Sequence, residues 1–335
     1  ADHVQMEDAL AEWVGVTDED GYAEVIALDR YVEDVKMSRS LTEESLPLIA
    51  IIPVEGTLMP GDSEEGMAGS DTINGYIDTA LEAEDLAAVV LRVNSPGGSV
   101  FASDLIRRKL LEVSDADIPI VVSMGTVAAS GGYWIAAEAD EIWALPTTLT
   151  GSIGAFSAFP TIEGIVEYIG VTVDGVGTTP LAGAASFNRG LSPEMASIVQ
   201  ALAYGAYDDF IELVASGRDM SELAVRDVAD GLVWTGAEAV ERGLVDELGG
   251  LDEAVAAAAR LAGVEDWRTA RTRVPPSFES VLLQELTRSF GLVSAPLGGW
   301  FDSLVSAFQP AIKSLSSLRD PMHVYAQCLA CAPLL

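Results

Sequence analysis

Positive charge is what this chain of 335 residues lacks most: 18 Lys and Arg stand against 52 Asp and Glu, a net charge of −34. Nucleic acid is not expected as a partner, because neutralising phosphates takes clusters of basic residues and none appears. Bare anionic lipid is disfavoured for the same reason. Lysine is scarcer still, confined to Lys36, Lys109 and Lys313. So acidic and lysine-poor a surface suits a salt-tolerant source, which is a statement about solubility and not about fold. Histidine is limited to His3 and His323, one near each terminus, so the middle of the chain has no imidazole to serve as a base. The only cysteines are Cys328 and Cys331, and one C-x-x-C cannot scaffold the whole chain.

A membrane span is also missing, although two stretches imitate one. Residues 118–137 and 142–162 carry no charge and are about long enough to cross a bilayer. Each is interrupted by Pro, Gly and hydroxyl residues, and neither is flanked by basic anchors, so both are assigned to a buried core. The chain opens on Ala1 without a basic-then-apolar leader, and "ADHVQMEDALAEWVGV" reads as a helix already under way. Either a leader has been removed or the chain is a piece of something longer.

What is present is 49% hydrophobic and strongly patterned. Residues 1–45 are polar and acidic, an expected helical extension. From residue 46 short, doubly apolar strands alternate with helices: "LPLIAIIPVEG", "DTINGYIDTALEAEDL", "AAVVLRVNSPGGS", "VFASDLIRRKLLEV", "IPIVVSMGT", "EIWALP". That alternation predicts parallel βαβ units with a sheet covered on both faces, an α/β fold whose sites sit at strand-end loops. The Gly/Ser/Thr-rich middle predicts irregular segments with one strand pair, and Pro193 opens a long helix to about Ser216. The peptidase-like domain spans 46–263. Residues 264–335 read as an amphipathic tail, whose pieces between Phe278 and Phe308 could lie on a membrane but, with so few basic residues, better suit packing on another subunit.

Two glycine-rich turns hold the candidate chemistry. In Asn94–Ser99, "NSPGGS", paired glycines let the backbone turn sharply and leave N–H groups facing outward at a helix N-terminus, where developing negative charge is stabilised. The spacing is not that of a phosphate-binding Walker loop, and a plain βα turn remains the alternative. In "AASGGYW", Ser130 falls at the start of a helix, so its hydroxyl is either an N-cap or a nucleophile mounted beside the Gly131 N–H. A serine and two helix N-termini with free N–H groups suit acyl transfer.

With "LRVNSPGGSV", "VVSMGTVAASGGYWIA", "TLTGSIG", "VGTTPLA", "RGLSPE", "VWTGAEAVERGLVDELGGLDEAV" and "DPMHVYAQCLAC" together, the chain resembles the SppA (protease IV) family of signal peptide peptidases. The match is to the C-terminal half of its long, two-half form. The resemblance implies a crotonase-like (Clp protease-like) fold and a serine nucleophile paired with a lysine base. It implies Ser130 as nucleophile, Gly131 as the following oxyanion-hole residue, and Gly97 as the second N–H donor. It also implies signal-peptide remnants as substrates, a homo-oligomer, and a site on the extracytoplasmic side of the cell envelope. No cofactor and no metal is implied.

The base is the gap in this pattern. The family's lysine follows a V-G-T-like strand end, and here Val176-Gly177-Thr178-Thr179 is followed by Pro180, 50 residues after Ser130. Proline takes no proton, and Arg189 in "FNRGLSP" stays charged. Lys109 lies about 15 Å along the helix from the P-G-G turn, on the solvated "RRK" face, while Lys36 and Lys313 sit in the terminal extensions. The lysine is therefore expected from an N-terminal half or a neighbouring subunit. Two alternatives stay open: a crotonase-like acyl-thioester enzyme, disfavoured by the absence of Glu and Asp from these loops, and a scaffold half in which Ser130 is only a cap. His323, Cys328 and Cys331 make an incomplete zinc set, so a local disulfide or free thiols is the expectation there.

Overall fold

Alternation decides the first strand. In Leu48–Glu55 (β1), Ile49 and Ile51 turn to one face and Ala50, Ile52 and Val54 to the other, and all five are buried. A strand with a core on both sides is what a covered parallel sheet requires. The computed structural model describes residues 46–179, 181–184, 186, 188–272 and 320–331. The expected N-terminal extension over 1–45, Pro180 and the amphipathic pieces from Phe278 to Phe308 lie outside them.

Thr57–Met59 (β2) and Met67–Gly69 (β3) lead into helix Ser70–Leu81 (α1), after which Leu86–Ser95 (β4) pairs in parallel with β1. Gly97–Ser99 (β5) follows at once and opens helix Val100–Asp115 (α2), whose buried residues Ala102, Ile106, Leu110 and Val113 recur at helical spacing. Ile120–Ala129 (β6) then runs parallel to β4 and ends at Ser130 and the single turn of helix Gly131–Trp134 (α3). Beyond it come Glu141–Ala144 (β7), Leu149–Gly151 (β8) and Phe156–Ser157 (β9). Helix Glu163–Tyr168 (α4) carries no buried residue.

Helix Pro193–Gly217 (α5) starts at the predicted proline, capped by the Ser192 hydroxyl on Met195 N–H. Its second half buries Phe210, Ile211 and Val214, and Phe210 packs 4.7 Å, centroid to centroid, from Trp134 of α3. Glu222–Val228 (α6), Val233–Thr235 (β10), Gly236–Glu241 (α7) and Glu247–Leu248 (β11) precede Leu251–Ala262 (α8). The alanines of α8 cover the Ile49/Ile51 face of the sheet, with Ala88, Val90 and Val121. Each fully buried Val or Ile there contributes roughly 1.5–3 kcal/mol.

The larger sheet runs β10-β8-β6-β4-β1 and ends at Arg268–Arg271 (β12), with β7 and β11 branching from β6. All its pairings are parallel except β10 with β8. The smaller sheet, β3-β2-β5, continues through Val324–Gln327 (β13) to β9. This is the α/β architecture with a parallel sheet that the alternation predicted. Two details differ from the sequence reading. Among the described residues the glycine-rich middle does not form a strand pair, because β8 joins the large sheet and β9 the small one. The described parts of 264–335 are not a separate tail either: β12 extends the large sheet beside β1, and β13 lies inside the small one. Among the described residues no helix is long and apolar enough to cross a membrane.

One irregularity aims the site. Val93 pairs with Met124 but Ser95 pairs with Ala128, so four residues of β6 span what two of β4 cover. The Asn94 side chain fills the gap by accepting from Val127 N–H at 3.2 Å, and Thr148 Oγ1 donates to the Gly125 carbonyl at 2.7 Å. A bulge of this kind bends its strand and re-aims the residues beyond it, here the turn carrying Ser130.

Candidate active site

Ser130 leaves β6 in a left-handed conformation, φ +55° and ψ −118°, uncommon for a residue with a Cβ and costly by about 1–3 kcal/mol. The surroundings hold it there. Its N–H donates to the Gly151 carbonyl at 2.8 Å, and its carbonyl accepts from Tyr133 and Trp134 N–H at 2.9 and 2.8 Å. The hydroxyl does not cap α3 and has no hydrogen-bond partner among the described residues. A helix-capping role for this serine is therefore not what the structure shows. The residue is 1% exposed and lines a cavity of about 650 Å³, within the usual size of ligand pockets.

The Gly131 N–H, at the first position of α3, likewise has no acceptor among the described residues. Gly97 approaches it edge to edge: a Cβ on Gly131 would lie 3.2 Å from the Gly97 Cα and 3.0 Å from the Ala326 carbonyl. The three residues singled out in the sequence are thus brought together. The P-G-G turn itself differs from expectation. It is not an open loop with unshielded N–H groups, since Gly97–Ser99 is a strand between β2 and β13, and the Gly97 N–H donates to the buried Ser95 hydroxyl at 3.1 Å. Gly97 keeps φ +90° in doing so, a conformation that suits glycine.

No described group stands ready to take the Ser130 proton. Lys109 points elsewhere, its Nζ 2.6 Å from both Asp78 and Glu112, and hydrogen bonds to those carboxylates raise its pKa, the wrong direction for a base. The phenol of Tyr133 donates to the Leu244 carbonyl at 2.7 Å and is pushed far up by burial, so it stays neutral. Lys36, Lys313 and His3 lie outside the described residues, as does Pro180. His323 packs edge-on against Phe159, ring centroids 4.9 Å apart.

Sequence reasoning missed the part of the wall that comes from residues 320–331. Cys328 and Cys331 are joined to each other, Cα atoms 5.3 Å apart, and pack against Val127 and Ala129 of β6. Cys328 N–H donates to the Pro96 carbonyl at 2.7 Å, and Gln327, Cys328 and Leu329 face the cavity. The segment is anchored by Asp320, 2% exposed, whose carboxylate accepts from the Ser99 hydroxyl and from Phe101, Met322 and Val324 N–H at 3.2, 2.8 and 3.2 Å. Ser152, at φ +50° and 6% exposed, brings a second hydroxyl to the cavity. Its only local signal was the stretch "TGSIG". Asp320 opens the stretch "DPMHVYAQCLAC", but nothing local announced its role, because its Ser99 and Phe101 partners are over 200 residues away.

Residues 112–265 match peptidase family S49. Protease 4 from Haemophilus influenzae is 38% identical over 322 residues, covering 93% of this chain and 51% of that protein. A Synechocystis protein named as a candidate protease is 37% identical over 217 residues, 65% of this chain and 75% of that one. The chloroplastic serine protease SPPA of Arabidopsis thaliana is 37% identical over 251 residues, 74% of this chain and 34% of that protein. The chain spans about half the length of the Protease 4 relatives it matches.

Proposed function

The chain belongs to peptidase family S49, and on that premise we propose that it is the serine-bearing half of a signal peptide peptidase acting through an acyl-enzyme on Ser130. The observation that carries the proposal is the state of Ser130: held in a left-handed turn, its hydroxyl uncommitted, beside a free Gly131 N–H, in the wall of a cavity. A serine that capped a helix or filled a core would have its hydroxyl bonded.

In the proposed reaction the Ser130 Oγ attacks a peptide carbonyl while a base takes its proton. The carbonyl oxygen becomes an oxyanion against the Gly131 N–H. Gly97 supplies the second N–H once the Ser95 hydroxyl rotates off it, and its contact with Gly131 supports that role. Collapse of the tetrahedral intermediate expels the amine with the proton taken from Ser130, and water then hydrolyses the ester. The base is a lysine from an N-terminal half or a neighbouring subunit, neutral because burial depresses its pKa. Support for that origin is the absence of a described base beside Ser130, Pro180 in the family's lysine position, and the half-length match to Protease 4.

The substrates proposed are peptides, cleaved signal peptides among them, and the working assembly is a homo-oligomer on the outer side of the cytoplasmic membrane. The disulfide of Cys328 and Cys331 supports an oxidising compartment. The test is labelling of Ser130 by a serine-directed phosphonate, with this chain alone and with the preceding half restored. Labelling only in the restored form, abolished in Ser130→Ala, is expected. Equal labelling of the chain alone would overturn the shared site, and no labelling in either would overturn the peptidase reading.

A further inference from the structure

The cavity beside Ser130 has an uneven wall. One side is a face of α5, with Gln200, Ala203, Tyr204 and Tyr207 at helical spacing, and the other is the end of β13 with Leu329. These surfaces are uncharged. Among the described lining residues Asp230 is the only charged side chain, with no Lys, Arg or His beside it. Asp230 stands in the turn between α6 and β10 at φ +56°, just before Gly231, whose N–H donates to the Ile153 carbonyl at 2.9 Å. One carboxylate oxygen accepts from the Tyr207 hydroxyl at 2.7 Å. The guanidinium of Arg226 is paired with Asp208 at 2.9 Å and sits over the Tyr207 ring.

A cavity with apolar sides and a single oriented carboxylate suits a ligand with an apolar stem and a cationic tip. We propose that this cavity receives a lysine or arginine side chain of the peptide substrate, with Asp230 as the specificity-determining residue and Tyr207 holding its carboxylate in place. The inference rests on the peptidase reading for its choice of a peptide as ligand, and it narrows the substrate class. A signal peptide is an apolar segment joined to a basic one, so a site that selects a basic side chain would set the register in which the apolar part meets Ser130. The net charge of −34 draws cationic peptides toward the molecule before any contact is made.

The test is equilibrium binding to the full chain of two fluorescent tripeptide amides, Ala-Ala-Lys and Ala-Ala-norleucine, which differ in the ammonium alone. Asp230→Asn is the matched variant, because Asn tolerates a left-handed backbone and keeps an acceptor for Tyr207. The lysine peptide is expected to bind about two- to fivefold tighter than the norleucine peptide, as an accessible ion pair allows. That preference should vanish in Asp230→Asn, with norleucine affinity unchanged, and should shrink as salt rises. Equal affinities, a preference that survives Asp230→Asn, or no binding of either peptide would each overturn the inference. Phosphonate labelling reports separately on Ser130. Labelling with no lysine preference would sink this proposal and spare the peptidase reading, and lysine preference without labelling would do the reverse.

Discussion

A Cβ built on Gly97 would stand 2.5 Å from the Gly131 nitrogen, so the P-G-G strand and the serine turn meet backbone to backbone with no room for a side chain between them. Gly97→Ala combines that overlap with φ +90°. It is expected to lower stability by about 2 kcal/mol or more and to abolish phosphonate labelling in the restored form. Chemical denaturation read beside labelling checks both; an unaltered protein that still labels would mean that the two turns do not meet in this way.

Ser130→Ala and Ser99→Ala should part company. The Ser130 hydroxyl bonds nothing described, so its removal should change stability by less than about 1 kcal/mol while ending labelling. Ser99 caps α2 through Ala102 N–H at 3.0 Å and donates to buried Asp320. Its loss should cost about 1–3 kcal/mol. Urea unfolding of the two variants compares them, and a larger loss for Ser130→Ala would contradict the free hydroxyl.

Asp320→Ala should release the terminal wall of the cavity. Four donors lose their acceptor, two of them on the segment itself, and the cost expected is about 3 kcal/mol or more. Hydrogen exchange should rise first in 324–327 and then at the start of α2. Protection unchanged in both places would show that the segment is held by other contacts.

Lys109→Met should leave labelling of Ser130 in the restored form unchanged. Paired with Asp78 and Glu112, Lys109 has its pKa raised. A raised folded-state pKa adds stability that is full below the ordinary lysine pKa and fades as pH climbs through the folded value. The pair is accessible, so the difference from wild type should be small near neutrality and vanish only in strong alkali. Loss of labelling in Lys109→Met would move the search for the base back to this helix.

Local chemistry was legible in the sequence and distant chemistry was not. "VAASGGYW" and "NSPGGS" each announce themselves within eight residues, because a turn with small neighbours is specified by its own composition. The strands β1, β4 and β6 declared burial on both faces by continuous apolar runs, and Pro193 marked its helix to within a residue. The hidden features depend on pairs far apart in the chain. The strand that β5 forms joins residues 97–99 to 325–327, more than 220 positions apart. Asp230 looked like any surface carboxylate of an acidic chain, and only its place at the cavity distinguishes it.

The segment from Asp320 to Cys331 has a consequence in time. Ser99 and its partner Asp320 are separated by 221 positions, and the Ser130 cavity takes its last wall from residues 327–330. The strands of the sheet around β4 and β6 all precede this stretch in the chain, whereas the pocket draws on it. One side of the cavity is therefore completed only after these residues have been made, long after the serine turn itself.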